Sequence, residues 1–439
     1  MARVTEVALI RIKAVHSRGC YFRLRQRIRV MTAENTEKPG VWTVFSAAPH
    51  RLLFFLGMLQ TVFVLVWWTL ILGLRITGLA TPLTNVPGAW AHAFLMLYGV
   101  IPFFIFGFLF TVYPRWMNGA PVSRRHYVAS FLLLAGGLLL FYPGLYLPPI
   151  VLVTALVLLL AGWGVALFSL YRVYAHARQR GPHERLLNLA LAAGMLGIAV
   201  FLAAVLTGSA RLFVLSRELG LWLFLVPVVF LVAHRMIPFF SQSTLMNYIV
   251  VRPAWGPSLM AVCVTAHAGF ELSGLPQWRF LADLPLALAA LHHSYVWQFR
   301  RSFHARLLAM LHIAFLWLGI AMSLYTAQSL VLLATGTDTL GRAPLHALGI
   351  GFLTSMIVAM ASRVTLGHSG RTLNADTLTW AVLLGVNASA VLRIAGEFLP
   401  PVASWLNLLA ALVWLAALLP WVLRYLPMYL QPRIDHTPG

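Results

Sequence analysis

Charge is what this chain lacks. Of its 439 residues only 10% are Asp, Glu, Lys or Arg, against roughly 25% in a soluble domain. With 60% of the residues hydrophobic, no single soluble core buries that much apolar surface, so a water-soluble globular fold is excluded. Cysteine is nearly absent too: Cys20 and Cys263 stand far apart. That excludes a CxxC motif, a CxxCH haem attachment and a disulfide framework. Acids are scarcest of all, 11 against 32 Lys and Arg, which leaves a net charge of +21. Such a balance raises nucleic-acid binding. Here, however, the arginines lie in short loops between apolar runs rather than along one face, so nucleic acid is not an expected partner and membrane lipid is. Fifteen histidines outnumber the acids; a metal or haem site has to be built from imidazole.

What the chain has instead is apolar length. Twelve runs of roughly 16 or more residues approach a bilayer span. They lie near 52–74, 89–113, 127–142, 150–171, 186–208, 212–233, 257–272, 281–299, 307–328, 345–362, 379–396 and 404–423, the third and seventh being the shortest. An open sheet edge cannot satisfy its backbone in lipid. The expected fold is therefore all-α, a polytopic bundle of about twelve spans occupying 49–428. The preceding residues 1–48 are basic (Arg11, Lys13, Arg18, Arg23, Arg25, Arg27, Arg29) with no apolar stretch behind the charges, so they are not a signal peptide. Two readings of this stretch stand: a cytoplasmic arm, or translation from a start ahead of a true one at Met31. A short tail, 429–439, follows the bundle. Sixteen arginines fall in the even-numbered connections and the tail, and six (Arg75, Arg211, Arg217, Arg279, Arg342, Arg393) on the other side. By the positive-inside bias both termini are expected in the cytoplasm.

This orientation sorts the histidines by depth. His92 opens the second run and His346 the tenth, both on the outer side. His92, Met96 and Gly99 share one helix face, as do His346, Gly349 and Leu353. Imidazole is a common axial haem ligand, bundles hold haem between facing helices, and glycine beside the ligand leaves room for a flat ring. The competing reading makes each histidine a polar helix start at the interface. His292 and His293 lie about 100° apart on one helix, so only one faces a given centre; with His267 or His312 it would make a copper site. The competing reading there is a histidine bonded to a neighbouring carbonyl. On the cytoplasmic side stand His234-Arg235 and the stretch from Arg363 through His368 to Arg371, arginines and histidines suited to an anion or a haem propionate. Positive-inside anchoring explains Arg235 and Arg363 without any ligand. A proton-coupled carrier needs buried carboxylates, and Glu218, Glu271, Asp283 and Glu397 all lie near span ends.

At these residues the sequence resembles the NnrS family. The resemblance rests on four segments. They are Phe45-Ser46-x-x-Pro49-His50-Arg51, Gly107-Phe108-x-Phe110-Thr111-x-x-Pro114-x-Trp116, Arg235-x-Ile237-Pro238-Phe239-Phe240, and His346-Ala347-Leu348 through Arg363-Val364-x-Leu366-Gly367-His368-x-Gly370-Arg371. The family is described as polytopic bacterial membrane proteins that contain haem and copper and are linked to the nitric oxide response. The resemblance thus implies a multi-pass protein of the bacterial cytoplasmic membrane holding b-type haem, with copper as a second cofactor and nitric oxide or a nitrosyl species as a partner. Two departures stand out. The family's His-x-His-Glu-Met in the second helix reads His92-Ala93-Phe94-Leu95-Met96, without the second histidine and the glutamate. The Gly-Gly-Arg before Ile-Pro-Phe-Phe reads Ala233-His234-Arg235. More distantly, the chain resembles the haem–copper oxidases, whose low-spin haem is held by histidines near the outer ends of helices two and ten. The alternative from another class is a transporter or exporter without redox chemistry.

Overall fold

The computed structural model describes residues 40–435. The expectations for residues 1–39, including Met31 as a start, lie outside the described residues. The chain divides after Thr43. The unit from Val44 onward is all-helical, with no strand among its described residues. Twelve main helices stand at the twelve apolar runs: α1 Pro49–Thr77, α2 Gly88–Trp116, α3 Arg124–Gly144, α4 Pro149–His176, α5 Pro182–Thr207, α6 Ala210–Thr244, α7 Gly256–Leu272, α8 Phe280–Val296, α9 Arg306–Thr335, α10 Ala343–His368, α11 Thr377–Phe398 and α12 Pro400–Tyr429. Ten are long and apolar enough to cross a membrane; α7 and α8 have 17 residues each. At ~1.5 Å per residue those two are about 25 Å long, close to the lower limit for a span.

Local chemistry sets the ends. α4 and α5 open with proline in the first turn, where the missing N–H costs nothing, and α5 stops at Gly208, whose φ of 68° is left-handed. Neighbours in sequence pack in pairs, α3 on α4, α8 on α9, α11 on α12, and α12 returns onto α1 to close the bundle. Burial separates two classes. In α2, α6, α9 and α10 between 67% and 83% of the most apolar stretch is covered by protein, against 33–39% in the other six long helices. The outer helices present bare aliphatic side chains such as Leu139, Leu189 and Leu423, a surface that only hydrocarbon suits.

Three of these four central helices are irregular. α2 widens into a π-helical stretch at Leu95–Val100, α6 at Leu219–Leu225 and α10 at Ala347–Thr354. π-turns are rare and concentrate at functional sites. Each of these stretches begins just after a buried or half-buried ionisable group: His92, Glu218 and His346.

Candidate functional site

At the end of the bundle where the even-numbered helices begin, His92 and His346 lie within electrostatic range of one another, with Arg393 and Arg342 acting on both. The His92 ring stacks on Trp68, 4.2 Å between centroids and 12° between planes, and Arg75 covers the same indole. The Nδ1 of His92 is buried without a hydrogen-bond partner. His346 is held differently: its Nδ1 lies 2.9 Å from the Arg342 carbonyl. A carbonyl only accepts, so Nδ1 carries the hydrogen and Nε2 keeps its lone pair, the arrangement by which proteins orient a ligating imidazole. The two rings thus differ, one having an orphaned nitrogen and the other an Nδ1–H aimed at a carbonyl. The glycines expected to flank them differ. Beside Gly349 the space is open, while a Cβ on Gly99 would meet Gln60 and Leu138 at 3.3 Å. The Gly99 side is closed because Gln60 reaches across to the Tyr142 hydroxyl. Both residues are imidazoles, the donor type an iron centre takes, and the space beside Gly349 is open.

The same end of the bundle holds a buried ionic cluster that sequence reasoning missed. Arg217 bonds Glu218 at 2.7 Å and Glu271 at 3.3 Å, and Arg279 bonds the other Glu271 oxygen at 2.9 Å and Gln328 at 3.1 Å. Asp283 accepts from His267 Nδ1 at 2.6 Å, and the His267 ring lies 3.6 Å from Trp222. Glu218 is 2% exposed and Asp283 0%. Both acids lie near the ends of their runs in the sequence and are nevertheless covered by protein, Glu218 against Arg217 and Asp283 against His267. The available signal was the outer-side arginines that broke the charge bias: Arg217, Arg279 and Arg393 each have an acidic partner. The cluster touches the histidine pair's neighbourhood through Trp90, two residues before His92, whose ring lies under the Arg217 guanidinium.

At the opposite end the expected group of arginines and histidines divides by its contacts. His368 packs against His50, ring centroids 4.4 Å apart, with its Nδ1 on the Val364 carbonyl and the His50 Nδ1 orphaned. Arg51, Thr365 and Tyr429 line the small cavity between them. Arg363 covers the Phe240 ring at 4.0 Å and makes no salt bridge among the described residues. Arg371 reaches Gln431 and leaves Nη1 without a partner. Arg235 is occupied by Glu184 and the face of Trp116.

His234 instead sits between His183 and His293, 5.6 and 5.5 Å between centroids. The free Nε2 of His293 and the Nε2 of His234, which is bonded to the Pro253 carbonyl, both approach Gly256, where a Cβ would stand 2.6 and 3.5 Å from them. His292 is exposed beside Trp255. The partners expected for His292 and His293 are engaged elsewhere, His267 with Asp283 and His312 with Ser241. Among the described residues no three histidine, cysteine or acidic side chains are arranged to hold a metal ion. The model of the NnrS protein family matches residues 44–433. No curated protein matches the sequence.

Proposed function

The chain belongs to the NnrS family, and on that premise we propose that it is a b-type haem protein of the bacterial cytoplasmic membrane, engaged in the response to nitric oxide and nitrosative stress. The observation that supports this reading most is the His92–His346 pair. The orphaned Nδ1 of one ring and the fixed tautomer of the other make two neutral donors at one end of the bundle, each on a central helix that widens into a π-turn. Bound between them, haem would supply an iron able to take nitric oxide or pass an electron. The protein's part is to hold the two imidazoles neutral and oriented. Trp68 fixes the plane of His92, Arg342 O fixes that of His346, and the covered central helices keep water away. In this reading all twelve helices cross the membrane and both termini lie in the cytoplasm.

Copper, the second cofactor that the family resemblance implies, would have to be held by fewer than three of the histidines around His292 and His293, since no three donors converge there among the described residues. A proton-coupled carrier is the second reading, favoured by the burial of Glu218 and Asp283. Haem-replete expression followed by an optical spectrum of the purified protein separates the two. A Soret band supports the haem reading; none after successful haem supply supports the carrier.

A further inference from the structure

The cluster between α6, α7, α8 and α9 has a charge balance that its burial does not tolerate. Two guanidiniums, Arg217 and Arg279, face three carboxylates, Glu218, Glu271 and Asp283. The charged groups acting on Glu218 and Asp283 are these and His267; the other titratable neighbours are Tyr325, Tyr98 beside Glu218 and the Cys263 thiol beside Asp283. With His267 neutral, one negative charge is left without a counter-charge. It falls on the deepest members: Glu218 at 2% exposure, His267 at 1% and Asp283 at 0%. The two acids each use one oxygen only. Glu218 Oε2 and Asp283 Oδ2 are buried with no hydrogen-bond partner. An ionised oxygen in that setting has lost its water and gained nothing in return, and the group relieves this by taking up a proton.

We propose that this cluster is a proton-binding site: one proton is held by the carboxyl pair Glu218 and Asp283 at neutral pH and exchanges with the surface through Glu271. The proton adds as O–H at Asp283 Oδ2 or Glu218 Oε2, while His267 Nδ1 stays on Asp283 Oδ1. No other bond changes, and the cluster passes from one net negative charge to none. Trp222 and Tyr325 wall the site from the bundle centre. Glu271 and Arg217, with side chains 24% and 30% exposed, connect it to solvent. The π-turn that follows Glu218 gives α6 a place to adjust when the charge changes. None of these residues belongs to the histidine pair, so the site holds its proton whether or not haem is bound.

The test is infrared spectroscopy of the full-length protein in lipid nanodiscs at pH 7, in H₂O and D₂O. Wild type should show a deuterium-sensitive band of one buried protonated carboxyl. Asp283→Asn and Glu218→Gln each match two carboxylates to two guanidiniums, and each should lose that band. Arg279→Gln does the opposite, and its band should grow to about twice the wild-type intensity. Absence of the band from wild type, or its unchanged presence in the Asn and Gln variants, overturns the proposal. If Asp283→Asn fails to fold, Glu218→Gln carries the same expectation, and the wild-type spectrum alone retains the power to refute.

Discussion

The hydroxyl of Tyr98 donates to the backbone carbonyl of Ser216 at 2.6 Å, tying the π-turn of α2 to the start of α6. The ring reaches that carbonyl through a gap that two glycines keep open. A Cβ on Gly197 or on Gly220 would overlap the Tyr98 hydroxyl. One side chain therefore links the helix of His92 to the helix of Glu218.

That wedge predicts stability changes. Gly220→Ala forces Tyr98 or α6 to move and should cost about 1–3 kcal/mol, the usual range for overpacking. Tyr98→Phe keeps the ring and loses the hydrogen bond, for about 0.5–1.5 kcal/mol. Thermal unfolding in detergent measures both. A Gly220→Ala variant as stable as wild type would contradict the close packing.

Topology is tested by reporter fusions. Fusions after Arg178 and Arg301 should report cytoplasm, and fusions near Gly144 and Thr337 the outside. Because α7 and α8 are only 17 residues each, Gly274 between them is the decisive position. It reports outside if the pair crosses the membrane and inside if it turns back. Reversal at two or more of the other sites ends the orientation.

The segment from Arg363 to His368 should matter beyond anchoring. Arg363 rests on Phe240 and His368 on His50. His368→Ala and Arg363→Ala should impair protection from nitrosative stress more than Arg178→Ala, which removes an ordinary loop charge. Small and equal effects in all three restore anchoring as the full explanation.

Asp376 caps α11, accepting from the backbone N–H and the hydroxyl of Thr379. Partial burial pushes its carboxyl up, but these hydrogen bonds and Arg424 outweigh it and hold the group below its ordinary value. A lowered folded-state pKa stabilises above the unfolded value and is lost as pH falls through the folded one. Asp376→Ala should cost about 0.5–2 kcal/mol at pH 7. The gap to wild type should shrink below about pH 4; a gap that widens in acid contradicts the cap.

The twelve helices were legible because apolar length alone marks a span, and the run at 345–362 sits inside α10 as expected. The π-turns were not: in a run such as Ala347–Thr354 nearly every residue is apolar, so a wider turn leaves no periodic trace. Depth misled for Glu218 and Asp283. Sequence places them at the ends of runs, but α6, α7 and α8 bring Arg217, His267 and Trp222 over them. His92 and His346 were legible as helix openers, whereas the tautomer of His346 depends on the Arg342 carbonyl, which only the fold supplies. His234 and His293 meet across a long stretch of intervening chain, a pairing no local pattern contains.

The haem assignment rests on two imidazoles, and the most direct measurement is the haem content and spin state of single variants. Wild-type protein, His92→Ala and His346→Ala are expressed with haem supply, purified and compared by absorption and pyridine haemochrome spectra. Each substitution should empty the site or turn its spectrum high-spin. A full and unchanged haem complement in both variants would contradict the assignment and move the ligands to other histidines.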